Sequence, residues 1–249
     1  MIETKSVEDL CIRLQLTKAD VWKLRKQFND QDVDHSGLIT QAEFFHLVRE
    51  TRRPLTKLIF RLAHVPAAKT RITFDEYVSC ACQFAALSDT ELLRFLFDSY
   101  NASSGGAGLT EKDIGKLAQD FQSMDASYAN NITVATQRMV QSRDQMARDG
   151  VLPFEDFERM VRANKLAFMP FLQLQRNVRQ GTLGEAFWVE KLRCQVILDR
   201  LLLFMRKHHG QLPPLPWRDS LARFFLTRET ANTKLFALAR TMYDSVGTT

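Results

Sequence analysis

The sequence predicts an all-α fold: four helix–loop–helix units in two pairs, followed by a helical C-terminal extension. Three observations lead there. Apolar residues recur at helical spacing through most of the 249-residue chain. An aliphatic–acidic signature returns after 33 residues, Ile39 and Glu43 being answered by Ile72 and Glu76. Phenylalanine, at 18 residues, is used heavily, which suits helices packing bulky knobs against one another. The length allows one large or two small domains with proper cores.

The first unit is the most informative. In "LTKADVWKLRKQF", Val21, Leu24 and Phe28 share one helical face, and Thr17 with Asp20 forms a capping-box pattern at the start. The loop "DVDHSGLITQAE" follows at 32–43. A hard divalent cation takes six to eight oxygens, and a twelve-residue loop supplies them from alternate positions. Here Asp32, Asp34 and Ser36 occupy positions 1, 3 and 5, and Leu38 offers its carbonyl at position 7. Thr40 at position 9 reaches the ion through water, and Glu43 at position 12 can give both carboxylate oxygens. Gly37 suits the sharp turn because it adopts positive φ without a Cβ penalty. Ile39 points to the core, and Phe44, Leu47 and Val48 continue as the exit helix. Without a cation, Asp32, Asp34 and Glu43 would repel one another.

The other loops keep the frame and lose the ligands. In the second unit Leu55, Leu58, Ile59 and Leu62 enter after Pro54, and Phe74, Tyr77, Val78 and Ala81 leave. Its ligand positions hold Val65, Ala67 and Lys69, and the lysine would oppose a cation. The third begins with a Ser88–Glu91 capping box and runs into "NASSGGAGLTEKDI", which has no usable ligand set and, lacking a G-K-[ST] ending and a preceding strand, is not a phosphate loop. The fourth places Leu152 and Asp156 at positions 8 and 12, but Gln145 and Ala147 at positions 1 and 3, with Asp149 at position 5.

The intact loop with its two helices is the EF-hand pattern. From about residue 18 to residue 165 the chain resembles the four-hand EF-hand superfamily, in an arrangement similar to calcineurin B-like calcium-binding regulatory proteins. The resemblance implies a Ca²⁺ cofactor, with Mg²⁺ as competitor, held by Asp32, Asp34, Ser36, Leu38, Thr40 and Glu43. It further implies an apolar groove that accepts a partner protein's amphipathic helix. One competent loop where paired sites are usual implies a shallow calcium response.

The expected domains are 1–87, an N-terminal pair; 88–165, a C-terminal pair; and 166–249, a basic helical extension. The extension begins with the apolar cluster Phe168, Met169, Phe171 and Leu172, within which Pro170 is expected to break or kink the preceding helix. This stretch resembles extensions on EF-hand proteins of flagellated protists and algae. A helix over about 185–208 contains "VILDRLLLFM", apolar nearly all round and so expected to be buried on several sides, with Gly210 as its stop. Such a segment could fill the C-terminal groove itself. "QLPPLPW" reads as a rigid linker, and a helical pair at about 218–226 and 228–245 closes the chain, with Arg218, Arg223, Arg228 and Arg240 as a basic surface.

Charge divides the same way. Residues 1–160 hold 20 Lys and Arg against 23 Asp and Glu, whereas 161–249 hold 14 against 6. A basic tail after an acidic module fits either an anionic partner or docking on the chain's own acidic half. Four cysteines, Cys11, Cys80, Cys82 and Cys194, lack zinc spacing and read as reduced buried thiols. No apolar run is long enough to span a bilayer, the N-terminus lacks a signal-peptide core, and Ile2 excludes N-myristoylation.

No catalytic set can be placed, so no enzyme is expected, and no specific nucleic-acid motif appears. Two readings remain. One is a cytoplasmic regulatory or adaptor subunit that binds calcium and a partner helix. The other is a constitutive structural subunit of a multi-subunit assembly, cytoskeletal, ciliary or flagellar, in which the inert hands hold helices together.

Overall fold

A computed structural model describes residues 2–101, 108–123, 126–141, 150–214 and 231–246. They form an all-α fold whose strands, among the described residues, are two three-residue segments. The chain divides into two compact units, Met1–Trp188 and Val189–Thr249.

The first unit opens with α1 (Lys5–Arg13) and α2 (Lys18–Gln31). Strand β1 (Leu38–Thr40) leads directly into α3 (Gln41–Leu47). A 3-10 helix (Thr56–Ala63), strand β2 (Arg71–Thr73) and α4 (Phe74–Ala85) repeat that order. Then come α5 (Asp89–Tyr100), α6 (Glu111–Gln122), α7 (Ala126–Gln141), α8 (Phe154–Ala163) and α9 (Lys165–Gly181).

Loops meet in pairs at an aliphatic position in each. β1 and β2 run antiparallel with Ile39 opposite Ile72, both fully buried. In the second half Leu109 and Leu152 exchange both backbone hydrogen bonds, at 2.9 and 2.8 Å, and are equally buried. The residue after the acid that stands four positions beyond each of these aliphatics is buried too: Phe44, Tyr77, Ile114 and Phe157. Ligand positions 102–107 of the third loop, and Gln145, Ala147 and Asp149 of the fourth, lie outside the described residues.

Helix starts follow local chemistry. The expected capping boxes form at Thr17–Asp20 and Ser88–Glu91. Three more stand at Thr40–Glu43, Thr73–Glu76 and Thr110–Asp113. Each satisfies two otherwise orphaned backbone N–H groups. α1 is capped from a distance: Asp75 Oδ2 on α4 accepts the Glu3 and Thr4 N–H groups at 3.0 and 2.7 Å, and the Thr4 hydroxyl at 2.7 Å.

The entry segment of the second helix–loop–helix repeat, Thr56–Ala63, is 3-10 rather than α. The Thr56 hydroxyl donates to the Thr51 carbonyl at 2.8 Å and accepts the Arg53 N–H at 2.9 Å, tightening the start, and His64 ends it with φ 51°. Short 3-10 runs are common as such connectors.

Pro170 does not break its helix. The break falls at Asn164, whose φ of −120° and ψ of 45° leave the helical region, and α9 continues through the proline. A proline in the second turn removes one intrahelical bond near the start of the helix, where carbonyl partners are easily replaced by water.

α9 is the keystone of this unit. It packs on α4 and also on α7 and α8. Phe171 meets Phe84 edge-on with centroids 5.8 Å apart, and Phe168 meets Phe121 at 5.3 Å. Leu174 and Val178 are fully buried beside them. Burying such side chains stabilises a fold by roughly 1.5–3 kcal/mol each. Gly181 comes so close to α3 that a Cβ there would lie 2.8 Å from the Leu47 carbonyl oxygen. The first unit thus continues past residue 165 to Trp188, whose indole N–H donates to Thr182 Oγ1 at 2.9 Å.

Helix α10 (Glu185–Lys207) begins in the first unit and supplies the second with Leu198, Leu201 and Met205, which pack with Leu235 and Ala239 of α11 (Ala231–Val246). It is not buried all round: Val196 is 46% exposed and Leu203 54%. Among the described residues α11 is its packing partner in this cluster, and one buried face suffices for that. Gly210 ends the segment as expected, at φ 83°, its N–H on the Met205 carbonyl. Arg240 is tied rather than free, to Asp244 at 3.1 Å and to the Gly210 carbonyl at 2.9 Å. Pro216, Trp217, the segment expected as a helix at 218–226, Arg218, Arg223 and Arg228 lie outside the described residues. No helix among the described residues is long and apolar enough to cross a membrane.

Candidate metal centre

The loop at 32–43 is held by its own oxygens. α2 ends at Asp32, which is 6% exposed, and its carboxylate reaches back into the loop. Asp32 Oδ2 accepts the Gly37 N–H at 2.8 Å, and Oδ1 accepts the Ser36 N–H at 3.0 Å. The Ser36 hydroxyl lies 3.3 Å from Asp32 Oδ1 and 3.1 Å from the Leu38 carbonyl oxygen. Gly37 takes φ 76°, the turn that favours glycine. Asp34 Oδ1 accepts the Ser36 N–H at 3.3 Å. Hydrogen bonding to the Ser36 side chain, then to Asp32 and the Ser36 amide, brings the Asp34 carboxyl down to about 2. Both aspartates are therefore disposed toward one side of a small ring of oxygens.

Glu43 and Thr40 stand apart from that ring and face each other. Glu43 Oε2 accepts the Thr40 N–H at 2.6 Å and the Thr40 hydroxyl at 3.0 Å. Among the described residues no three His, Cys, Asp or Glu side chains converge closely enough to hold an ion. The capping box holds the position-12 carboxylate on the helix start. Of the six sequence-predicted ligands, Asp32, Asp34, Ser36 and the Leu38 carbonyl come together, and Thr40 and Glu43 form a second group.

Two cations from the partner loop complete the local electrostatics. The Arg71 guanidinium, on β2, lies 3.0 Å from Asp34 Oδ2 and 3.2 Å from Ser36 Oγ. In the partner loop itself, Lys69 Nζ grips both oxygens of Glu76, at 2.6 and 2.8 Å, while Glu76 Oε2 also accepts the Thr73 N–H at 2.9 Å. In the second loop the position-12 carboxylate is thus neutralised by a tethered ammonium.

The donor set fits a hard cation. Two carboxylates, a hydroxyl and a carbonyl are gathered, a third carboxylate stands in the first turn of α3, and a guanidinium already sits against two of the donors as a stand-in positive charge. Sequence reasoning missed Arg71. It also missed that Thr40–Glu43, Thr73–Glu76 and Thr110–Asp113 are one repeated device. The signal was present, as the strings "ITQAE", "ITFDE" and "LTEKD" each place threonine three residues before an acid. Retention of an acid at loop position 12 therefore has a capping explanation as well as a metal one.

No family model matches the chain. Over 163 residues it is 21% identical to calcium-dependent protein kinase 5 of Plasmodium falciparum, a similarity covering 65% of this chain and 28% of the kinase. The similarity thus spans little more than a quarter of that relative's length. At this identity the likeness is distant.

Proposed function

We propose that this chain is an EF-hand protein that binds one calcium ion at residues 32–43 and serves as a regulatory or adaptor subunit for a partner protein. The observation that carries the reading is the preset oxygen ring of Asp32, Asp34, Ser36 and the Leu38 carbonyl around Gly37. Asp32, Asp34, Ser36, Leu38 and Glu43 would hold the ion directly, with Thr40 acting through water. The distant likeness to a kinase named for its calcium dependence supports the same chemistry. At calcium 100 times the dissociation constant, one such site stabilises the bound form by about 2.7 kcal/mol.

A specific observation favours a second reading, a constitutive structural subunit. Helix α9 lays Phe168, Phe171, Leu174 and Val178 against both halves of the first unit, the apolar surface a partner helix would otherwise take. The sequence suggests the 196–205 segment for such a role; on this reading residues 165–181 take it instead.

Titration calorimetry with calcium on the whole chain and on Glu43→Gln tests the binding. One site of about micromolar affinity, weakened in the variant, is expected. Absence of binding at millimolar calcium would remove the calcium reading. Dye binding to apolar surface separates the two roles: a calcium-dependent increase supports regulation, and an unchanged signal with calcium bound supports the structural role.

A further inference from the structure

The oxygen ring of the first loop is not left without a positive charge. Arg71 projects from β2, where it lies opposite Thr40 in the strand ladder. Its two terminal nitrogens divide between Asp34 Oδ2, at 3.0 Å, and Ser36 Oγ, at 3.2 Å. Those are the donors at positions 3 and 5 of the candidate calcium loop. A guanidinium and a divalent cation cannot share them: the oxygens that would face the ion already face Arg71, and the two positive charges would repel at close range.

We propose that Arg71 is a built-in competitor that sets the calcium threshold of the first loop, so that the ion enters by displacing a side chain of the second loop. This rests on the calcium-binding reading above and deepens it. The affinity of the site is then a property of the loop pair. A residue outside residues 32–43 weakens binding by holding Asp34 and Ser36 in the ion-free form and by its charge.

The arrangement also supplies a route out of the site. Arg71 belongs to β2, and α4 begins at Phe74, immediately after it. Releasing the guanidinium frees a tie between the two loops, on the strand that leads into the helix carrying Asp75, the cap of α1. Lys69 makes no such exchange, because its partner Glu76 belongs to its own loop. The two basic residues therefore differ in role although only Thr70 separates them.

Calorimetric titration with calcium tests this on the full chain, comparing wild type, Arg71→Gln, Arg71→Lys and Arg52→Gln. Arg52 is exposed, and its substitution makes the same change in net charge. Arg71→Gln should tighten binding at least about threefold in low salt, a gain that shrinks as salt screens the exposed charge. Arg71→Lys should recover part of the wild-type affinity, and Arg52→Gln should leave it unchanged. Thermal unfolding without calcium gives a second readout: Arg71→Gln should lower the melting temperature of the ion-free protein. Tighter binding by Arg71→Gln alone, or binding by that variant when wild type shows none, supports the proposal. Equal affinity of wild type and Arg71→Gln, or an equal shift with Arg52→Gln, overturns it and leaves the calcium reading standing. No binding by either wild type or Arg71→Gln overturns the calcium reading itself, and this proposal with it.

Discussion

The Arg179 guanidinium donates through Nε to the carbonyl oxygen of Ala85 at 2.8 Å, fastening α9 to the last turn of α4. Its other nitrogens reach the Leu87 carbonyl at 3.1 Å and Glu185 Oε1 at 3.1 Å. A residue only 8% exposed thus satisfies two carbonyls and a carboxylate at once. Arg179→Ala should lower the unfolding free energy by about 3 kcal/mol, because the groups left behind stay partly buried without a donor. Arg179→Lys should recover little, since a single ammonium cannot reproduce the fork. Urea denaturation of the three proteins measures both effects.

Gly181 is a steric prediction. A methyl group there would lie 2.8 Å from the Leu47 carbonyl oxygen and 2.9 Å from Val48 Cα, both backbone atoms that cannot rotate aside. Gly181→Ala should therefore destabilise the protein by about 1–3 kcal/mol, as overpacking does elsewhere, although alanine is the better helix former. Gly115 on α6 has open space in the same direction, so Gly115→Ala should be neutral or stabilising. Opposite signs for the two substitutions in thermal unfolding would check the packing of α9 on α3.

Glu50 gives a pH prediction. Burial raises its carboxyl above the ordinary value, and the hydrogen bond from Asn177 Nδ2, 2.8 Å from Oε1, offsets only part of that. A raised folded-state value means the fold favours the protonated form. The associated stability is complete below the unfolded-chain value and is lost as pH rises through the folded one. Glu50→Gln keeps the Asn177 contact without the charge. It should raise the melting temperature at pH 7 and leave it nearly unchanged at pH 4, a comparison that calorimetric scans provide.

Thiol chemistry follows from burial as well. Desolvation pushes Cys11 up to about 11 and holds Cys80 and Cys82 still further from ionisation. Only a thiolate reacts readily with alkylating reagents. In the native protein at pH 7.5 the half-exposed Cys194 should react first and slowly, its thiol also raised by desolvation. Mass spectrometry should find the other three labelled only after denaturant is added.

Much of this architecture was written in short-range pattern. Thr17, Asp20, Ser88 and Glu91 start their helices through contacts that span three residues, and local spacing is enough to read them. The pairings of Ile39 with Ile72 and Leu109 with Leu152 were legible because an internal repeat brings like positions together. The ring at Asp32, Asp34, Ser36 and Leu38 was legible for the same local reason. What sequence did not disclose depends on reach across space. Arg71 touches Asp34 because the strand ladder sets its direction, and nothing in its neighbours marks it. Glu43 was read as an ion ligand, yet an equally local rule makes it a cap, and two rules acting on one carboxylate cannot be ranked from spacing alone. α9 runs through Pro170 because packing by Phe168, Phe171 and Leu174 outweighs one lost backbone bond, a comparison of energies that composition does not contain.

The Lys69–Glu76 contact has a kinetic consequence. A chelator can strip a metal from solution, but it leaves in place an amine covalently fixed to the backbone, so this contact does not depend on calcium. β1 and β2 are already paired, so on the proposed calcium reading ion uptake by the first loop asks only for side-chain motion. Uptake after calcium withdrawal should be immediate on the timescale of mixing, with no slow refolding phase behind it.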